Sequence, residues 1–283
     1  MSLAIAEGRA VDDLEAIQAD LVERGVEFSM GTYVDIDGHP TWVDDRGGKG
    51  EPLLLMHGGL SNSDALLDSI GPRLMASHHV VAFDRRGHGR TADTPAPFHY
   101  ADMVKETVQV LEHVVGAPAH LVGWSDGGIL ALLVALERPE LAKKLVVIGT
   151  NYHHDGLVPF EPNMEAPFFQ QIFSEYAERS PDGAAHIEEI LGKTFTMFAS
   201  EPTMTTADVA RITQPTLVMA GDDDLISLAH TASLYEALPN AQLAIVPGAS
   251  HGLPIERPEL VAGLISDFLA SKVADTLVPI RRA

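Results

Sequence analysis

The sequence contains no cysteine, which excludes disulfides, thiolate metal centres and cysteine nucleophiles. It is also poor in positive charge. Nineteen Lys and Arg stand against 40 Asp and Glu, a formal net charge of −21 over 283 residues. Such a surface repels phosphate backbones and anionic lipid, so neither a nucleic acid nor a membrane is expected as a partner. Long apolar runs are missing as well. No stretch reaches the roughly 18 uninterrupted apolar residues of a membrane-spanning helix. The start, Met1 to Glu7, lacks the basic region and apolar stretch of a signal peptide. These absences predict a soluble, cytoplasmic protein. Internal repeats and low-complexity tracts are lacking too. With 46% hydrophobic and 21% charged residues, the chain is neither collagen-like nor disordered.

Six short apolar runs carry the architecture: Leu53–Met56, Val80–Phe83, Leu121–Val122, Leu145–Ile148, Thr216–Ala220 and Leu243–Val246. None alternates with polar residues, the pattern of strands buried on both faces of a parallel sheet. Helical stretches separate them: Tyr100 to Val115, Ile129 to Leu136 (stopped by Arg138-Pro139), Ser227 to Leu238 and Pro258 to Ala270. This alternation predicts a doubly wound α/β sheet.

Two segments stand outside that alternation. Residues 1–27 read as an N-terminal helical extension, packed on its own domain or across a homodimer. It precedes a hairpin over Gly31 to Val43 that turns at Asp37-Gly38. Residues 151–213 hold six of the ten Phe, namely Phe160, Phe168, Phe169, Phe173, Phe195 and Phe198. They read as a helical insertion that splits the core into 28–150 and 214–275. A unit of about sixty residues is too small to bury all of these internally, so part of the set is expected to line an apolar pocket.

The strongest chemical signal is Gly123-Trp124-Ser125-Asp126-Gly127, a G-x-S-x-G pattern between an apolar strand and a helix. A serine on so sharp a turn needs small neighbours where the backbone passes close to itself, and the turn lifts its hydroxyl out of the sheet. The pentapeptide alone also fits a glycine-rich turn with an incidental serine; its strand–turn–helix setting favours a nucleophile. A serine hydroxyl is a poor nucleophile at neutral pH and needs a base. In this topology the partners follow in the order serine, acid, histidine. His251, just after the last apolar run, is the candidate base. The acid falls in Gly221-Asp222-Asp223-Asp224, where the pattern alone does not choose among three carboxylates. His57-Gly58-Gly59-Leu60 follows the first apolar run. The amides of Gly59 and Asp126 are the candidate oxyanion donors.

These motifs, with Asp84-Arg85-Arg86-Gly87-His88-Gly89-Arg90-Thr91 and Gly248-Ala249-Ser250-His251, resemble the α/β-hydrolase fold superfamily in its serine-hydrolase branch. The similarity spans residues 30–272 in the correct order. It implies a mostly parallel central sheet flanked by helices, with a helical lid at 151–213 inserted before the last strands. In similar sequences the acid closes a G-x-x-D pattern, which selects Asp224. The expected activity is hydrolysis of a small-to-medium apolar carboxylic ester or lactone, without cofactor or metal. Leu60, Trp124, Tyr152, Phe168 and Phe198 are the candidate substrate contacts. Epoxide and haloalkane hydrolases of this fold carry Asp at the nucleophile position, so Ser125 argues against both. Two other readings remain open: a haloperoxidase, perhydrolase, C–C bond hydrolase or lyase on the same scaffold, or a ligand-binding protein with a vestigial triad.

Three further patterns are set aside. Gly87-His88-Gly89-Arg90-Thr91-Ala92 fits a loose dinucleotide fingerprint, but the prolines behind it oppose a helix. Gly192-Lys193-Thr194 resembles the end of a phosphate loop with no strand before it. His153-His154-Asp155 suggests a metal, but adjacent histidines are expected to point apart.

Overall fold

The computed structural model describes residues 31–159, 162–270 and 277–278. The expected N-terminal helix and Phe160 lie outside them. The chain runs β1 (Thr32–Ile36), β2 (His39–Asp45), β3 (Pro52–Met56), α1 (Asp64–Ser69), α2 (Gly71–Leu74), β4 (His79–Phe83), α3 (Tyr100–Val110) and β5 (Ala119–Trp124). There follow α4 (Asp126–Glu137), β6 (Ala142–Ile148), α5 (Pro167–Arg179), α6 (Ile187–Phe198), α7 (Thr206–Val209), β7 (Thr216–Asp223), α8 (Leu228–Ala237), β8 (Ala241–Ser250), α9 (Leu253–Glu256) and α10 (Pro258–Ala270). Every one of the six apolar runs lies on a strand.

The eight strands of the described residues join one sheet in the order β1-β2-β4-β3-β5-β6-β7-β8. β1 and β2 pair antiparallel through a two-residue turn in which Asp37 and Gly38 both have positive φ, 53° and 80°. That is the backbone the Asp-Gly pair favours. From β4 to β8 all pairings are parallel.

The sheet is covered on both faces, which explains the unbroken apolar runs. Leu54 and Met56 of β3 pack with residues of α3 and α4, whereas Leu53 and Leu55 pack with those of α1, α2 and α10. Successive side chains of a strand point to opposite faces, so a two-sided core demands apolar residues at each position. β8 departs from this expectation: Leu243 and Ile245 are 39% and 40% exposed while Val246 is buried. Among the described residues it is the edge strand, and they leave its outer face without a full helical cover.

Residues 151–213 leave the sheet after β6 and return at β7, carrying α5 and α6. Ion pairs tie this segment to the core. Arg179 Nε donates to Asp64 at 3.0 Å and Lys193 Nζ to Asp93 at 2.6 Å. Glu201 accepts from the Tyr100 amide at 3.0 Å. Gly192-Lys193-Thr194 falls inside α6, and no helix opens between Gly87 and Tyr100, so neither forms a phosphate-binding loop. Among the described residues no helix is long and apolar enough to cross a membrane.

Candidate active site

The strand order reverses at β3, which has β4 on one side and β5 on the other. Such a switch point opens a crevice at the carboxyl ends of the strands. The loop after β3 and the turn after β5 therefore meet there, and β7 and β8 bring their own C-terminal loops to the same edge.

Ser125 occupies the turn between β5 and α4 with φ 54° and ψ −118°. Left-handed backbone at a serine costs about 1–3 kcal/mol and persists only where its surroundings enforce it. The enforcement is visible. The Ser125 amide donates to the Ile148 carbonyl at 2.8 Å, and its own carbonyl accepts from Gly128 and Ile129 at 2.9 and 3.2 Å. A Cβ on Gly123 would run into the Gly127 backbone, and one on Gly127 into the Met56 carbonyl. Both glycines are steric requirements of the turn.

The serine hydroxyl lies 3.0 Å from His251 Nε2, and His251 Nδ1 lies 2.7 Å from Asp224 Oδ1. With the carboxylate facing Nδ1, that nitrogen carries the proton, and Nε2 accepts from the serine hydroxyl. The Asp224 side chain is fully buried and the imidazole is 16% exposed. Asp224 also accepts from the Ile226 amide at 3.0 Å, which aims its carboxylate. Its neighbours do other work: Asp222 accepts from the Gly248 amide at 2.7 Å, and Asp223 is exposed. Gly58 approaches the same serine, for a Cβ built on it would stand 3.3 Å from Ser125 Cβ.

A model of the alpha/beta hydrolase family matches residues 53–264. A protein of Variovorax paradoxus (strain S110), provisionally assigned as carbamate hydrolase RutD, is 30% identical over 250 residues, covering 78% of this chain and 92% of that protein. The poly(3-hydroxyalkanoate) depolymerase of Ectopseudomonas oleovorans is 30% identical over 263 residues, covering 83% and 91%. Among solved structures, the meta-cleavage product hydrolase CumD of Pseudomonas fluorescens IP01 superposes with a TM-score of 0.68 at 21% identity, covering 86% and 98%. The chain belongs to the alpha/beta hydrolase family.

In this hydrolase a groove of about 770 Å³ lies between α5 on one side and α1, α2, α9 and α10 on the other. Gly59 and Leu60 of the glycine loop line it too, as do Trp124 and Gly252, the sequence neighbours of Ser125 and His251. Phe168, half exposed, stands at its rim. The other two candidate contacts lie elsewhere. Tyr152 stacks on His230 with ring centroids 4.1 Å apart, and Phe198, partly buried against the core, comes within 2.8 Å of where a Cβ on Gly59 would stand. Nor is the groove purely apolar: Asp64, Asp68, Glu175, Glu256 and Glu259 share its walls with Arg73 and Arg179. The insertion turns its mixed face, Phe168, Gln171, Ile172, Glu175 and Arg179, toward the groove, and keeps Phe169 and Tyr176 buried.

Three side chains escaped the sequence reading. Arg85, Tyr100 and the carboxyl of Asp126 are buried directly beneath the turn and the glycine loop. Burial pushes the Asp126 carboxyl above the usual carboxylate range and the Tyr100 phenol well above its ordinary value. Arg85 stands beside Arg86, a residue of the same type that stays partly exposed, so composition carried no signal to separate them.

His153 and His154 do not point apart as expected. They sit at a single helical turn with rings stacked 4.4 Å apart, and with Asp155 they place ligand atoms within 4.8 Å of one another. Asp155 is exposed and both imidazoles are partly so.

Proposed function

We propose that this alpha/beta hydrolase is a serine esterase that cleaves carboxylic esters or lactones through an acyl-enzyme. The observation that carries the reading is the unbroken series from Ser125 Oγ through His251 to Asp224. His251 Nε2 takes the proton as Ser125 Oγ attacks the carbonyl carbon, and Asp224 stabilises the imidazolium and holds its tautomer. The imidazolium then protonates the leaving alkoxide. Water, deprotonated by the same nitrogen, releases the acid in the second half-reaction.

The amides of Gly59 and Asp126 receive the oxyanion. The Ser125 carbonyl is held by the first turn of α4, so the Asp126 N–H in the same trans peptide points the opposite way, off the helix N-terminus. Residues 151–213 act as the lid, with α5 closing the groove. At about 770 Å³ the groove suits a small-to-medium ester. Its carboxylates favour an uncharged substrate over an anionic one. The polyester named for the Ectopseudomonas relative supports an ester over a C–C bond.

Incubation with a fluorophosphonate followed by peptide mapping tests the activated nucleophile. Labelling at Ser125, with none in Ser125→Ala, is expected. Turnover of a nitrophenyl ester series should fall by about 10⁶-fold in the same variant. Unlabelled wild-type protein, or an alanine variant that keeps its turnover, refutes the proposal.

A further inference from the structure

Arg85 is 1% exposed, and its guanidinium grips the glycine loop from below. Nη1 donates to the His57 carbonyl at 2.5 Å and Nη2 to the Gly58 carbonyl at 2.9 Å. Its backbone N–H donates to His57 Nε2 at 3.2 Å, and His57 Nδ1 donates to the Gly58 carbonyl at 2.7 Å. The guanidinium is itself held: Nη2 lies 3.7 Å from Asp126 Oδ2, and Tyr100 donates its hydroxyl proton to Asp126 Oδ1 at 2.8 Å. The loop rests on this carboxylate, for a Cβ built on Gly59 would lie 2.8 Å from Asp126 Oδ2.

Peptide planarity gives the arrangement a direction. In a trans peptide the carbonyl and the following N–H point opposite ways. Pinning the Gly58 carbonyl toward Arg85 therefore turns the Gly59 N–H away from Arg85, in a loop that Ser125 approaches, a Cβ built on Gly58 standing 3.3 Å from Ser125 Cβ. A buried ion pair is a weak device for stability, since well-packed apolar residues of similar volume often serve as well. A planar fork with two donors aimed at two carbonyls is a strong device for orientation.

We infer that Arg85 is a positioning residue that orients the Gly59 amide for the oxyanion, with Asp126 and Tyr100 holding the guanidinium in place. The inference rests on the esterase reading above. The Asp126 residue thus acts twice, through its amide toward the substrate and through its carboxylate toward Arg85. A lysine at position 85 would keep the charge but lose the fork.

The test uses the full chain with Arg85→Lys and Tyr100→Phe, reading ester kcat and KM, thermal midpoint, and amide hydrogen exchange at Gly59. Arg85→Lys is expected to lower kcat about 10²-fold, the loss typical of one oxyanion donor, with KM nearly unchanged and Gly59 exchange accelerated. Tyr100→Phe should lower kcat less, again at constant KM. Retained kcat with unaltered Gly59 exchange in Arg85→Lys overturns the inference; so does a parallel collapse of kcat, KM and thermal midpoint in both variants. If Arg85→Lys does not fold, Tyr100→Phe decides: a lower kcat at constant KM supports the inference and an unchanged kcat overturns it. Should wild-type Ser125 resist the fluorophosphonate, the esterase reading fails, and Gly59 exchange still decides whether Arg85 orders the loop.

Discussion

Trp124 holds the backbone of His251: its indole Nε1 donates to the His251 carbonyl oxygen at 2.7 Å, and the two rings lie 5.9 Å apart. The residue before the serine thus anchors the loop that delivers the imidazole, although the two are 127 positions apart in sequence. Trp124, a candidate substrate contact on sequence grounds, also contributes to the groove wall.

Replacing this indole separates the two roles. Trp124→Phe keeps an aromatic ring and removes the donor. Losing one buried hydrogen bond is worth about 1 kcal/mol, so kcat should fall roughly fivefold as the His251 loop loosens. KM for short esters should change little. A variant with unchanged kcat shows that the loop is held without the indole.

The three consecutive aspartates rank themselves by their partners. Asp224→Asn leaves the geometry but presents an amide to His251 Nδ1, which favours the wrong tautomer; on the proposed esterase reading kcat should drop by about 10⁴-fold. Asp222→Asn weakens the bond to the Gly248 amide and should cost about 1 kcal/mol of stability with kcat largely kept. Asp223→Asn, exposed at the strand end, should be near neutral. Kinetics and chemical unfolding of the three variants give the order; an Asp222 or Asp223 variant slower than Asp224→Asn would reassign the acid.

Acid should destabilise the fold through buried neutral histidines. Burial, helped by the Arg85 charge, holds His88 down to about 3 and His57 well below the ordinary 6.5. Burial and the nearby His153 hold His230 down to about 4. The unfolded chain takes up these protons near pH 6.5 while the folded chain refuses them, so the unfolded state binds more protons below that pH. Their contribution is complete above pH 6.5 and is lost progressively from there down to the depressed folded values. Each histidine adds a slope of up to about 1.4 kcal/mol per pH unit in that window. Urea unfolding from pH 7 to 4 should show the decline, and His88→Asn should flatten it by one proton's worth. An equal slope in wild type and variant would remove His88 from the account.

Much of this site was legible along the chain because its demands are local. The turn around Ser125 requires glycines at fixed spacing, and those steric clashes are short-range. The apolar runs were equally readable, since a strand covered on both faces leaves no room for polar residues. Even β8, where Leu243 and Ile245 are partly exposed, was visible as a strand, though its place at the edge was not. The choice of Asp224 needed family resemblance, because three like carboxylates differ only in where the loop aims them.

What the linear chain determined, then, was the sheet and the serine turn, because backbone sterics and burial act within a few residues. The tertiary structure alone decided which arginine of Arg85-Arg86 is buried, why Asp126 carries a buried carboxylate, and which aromatic residues reach the groove. Those outcomes depend on side chains from separate strands and from the 151–213 segment meeting at one sheet edge. Burial and charge pairing there are properties of the assembled surroundings, not of any local sequence.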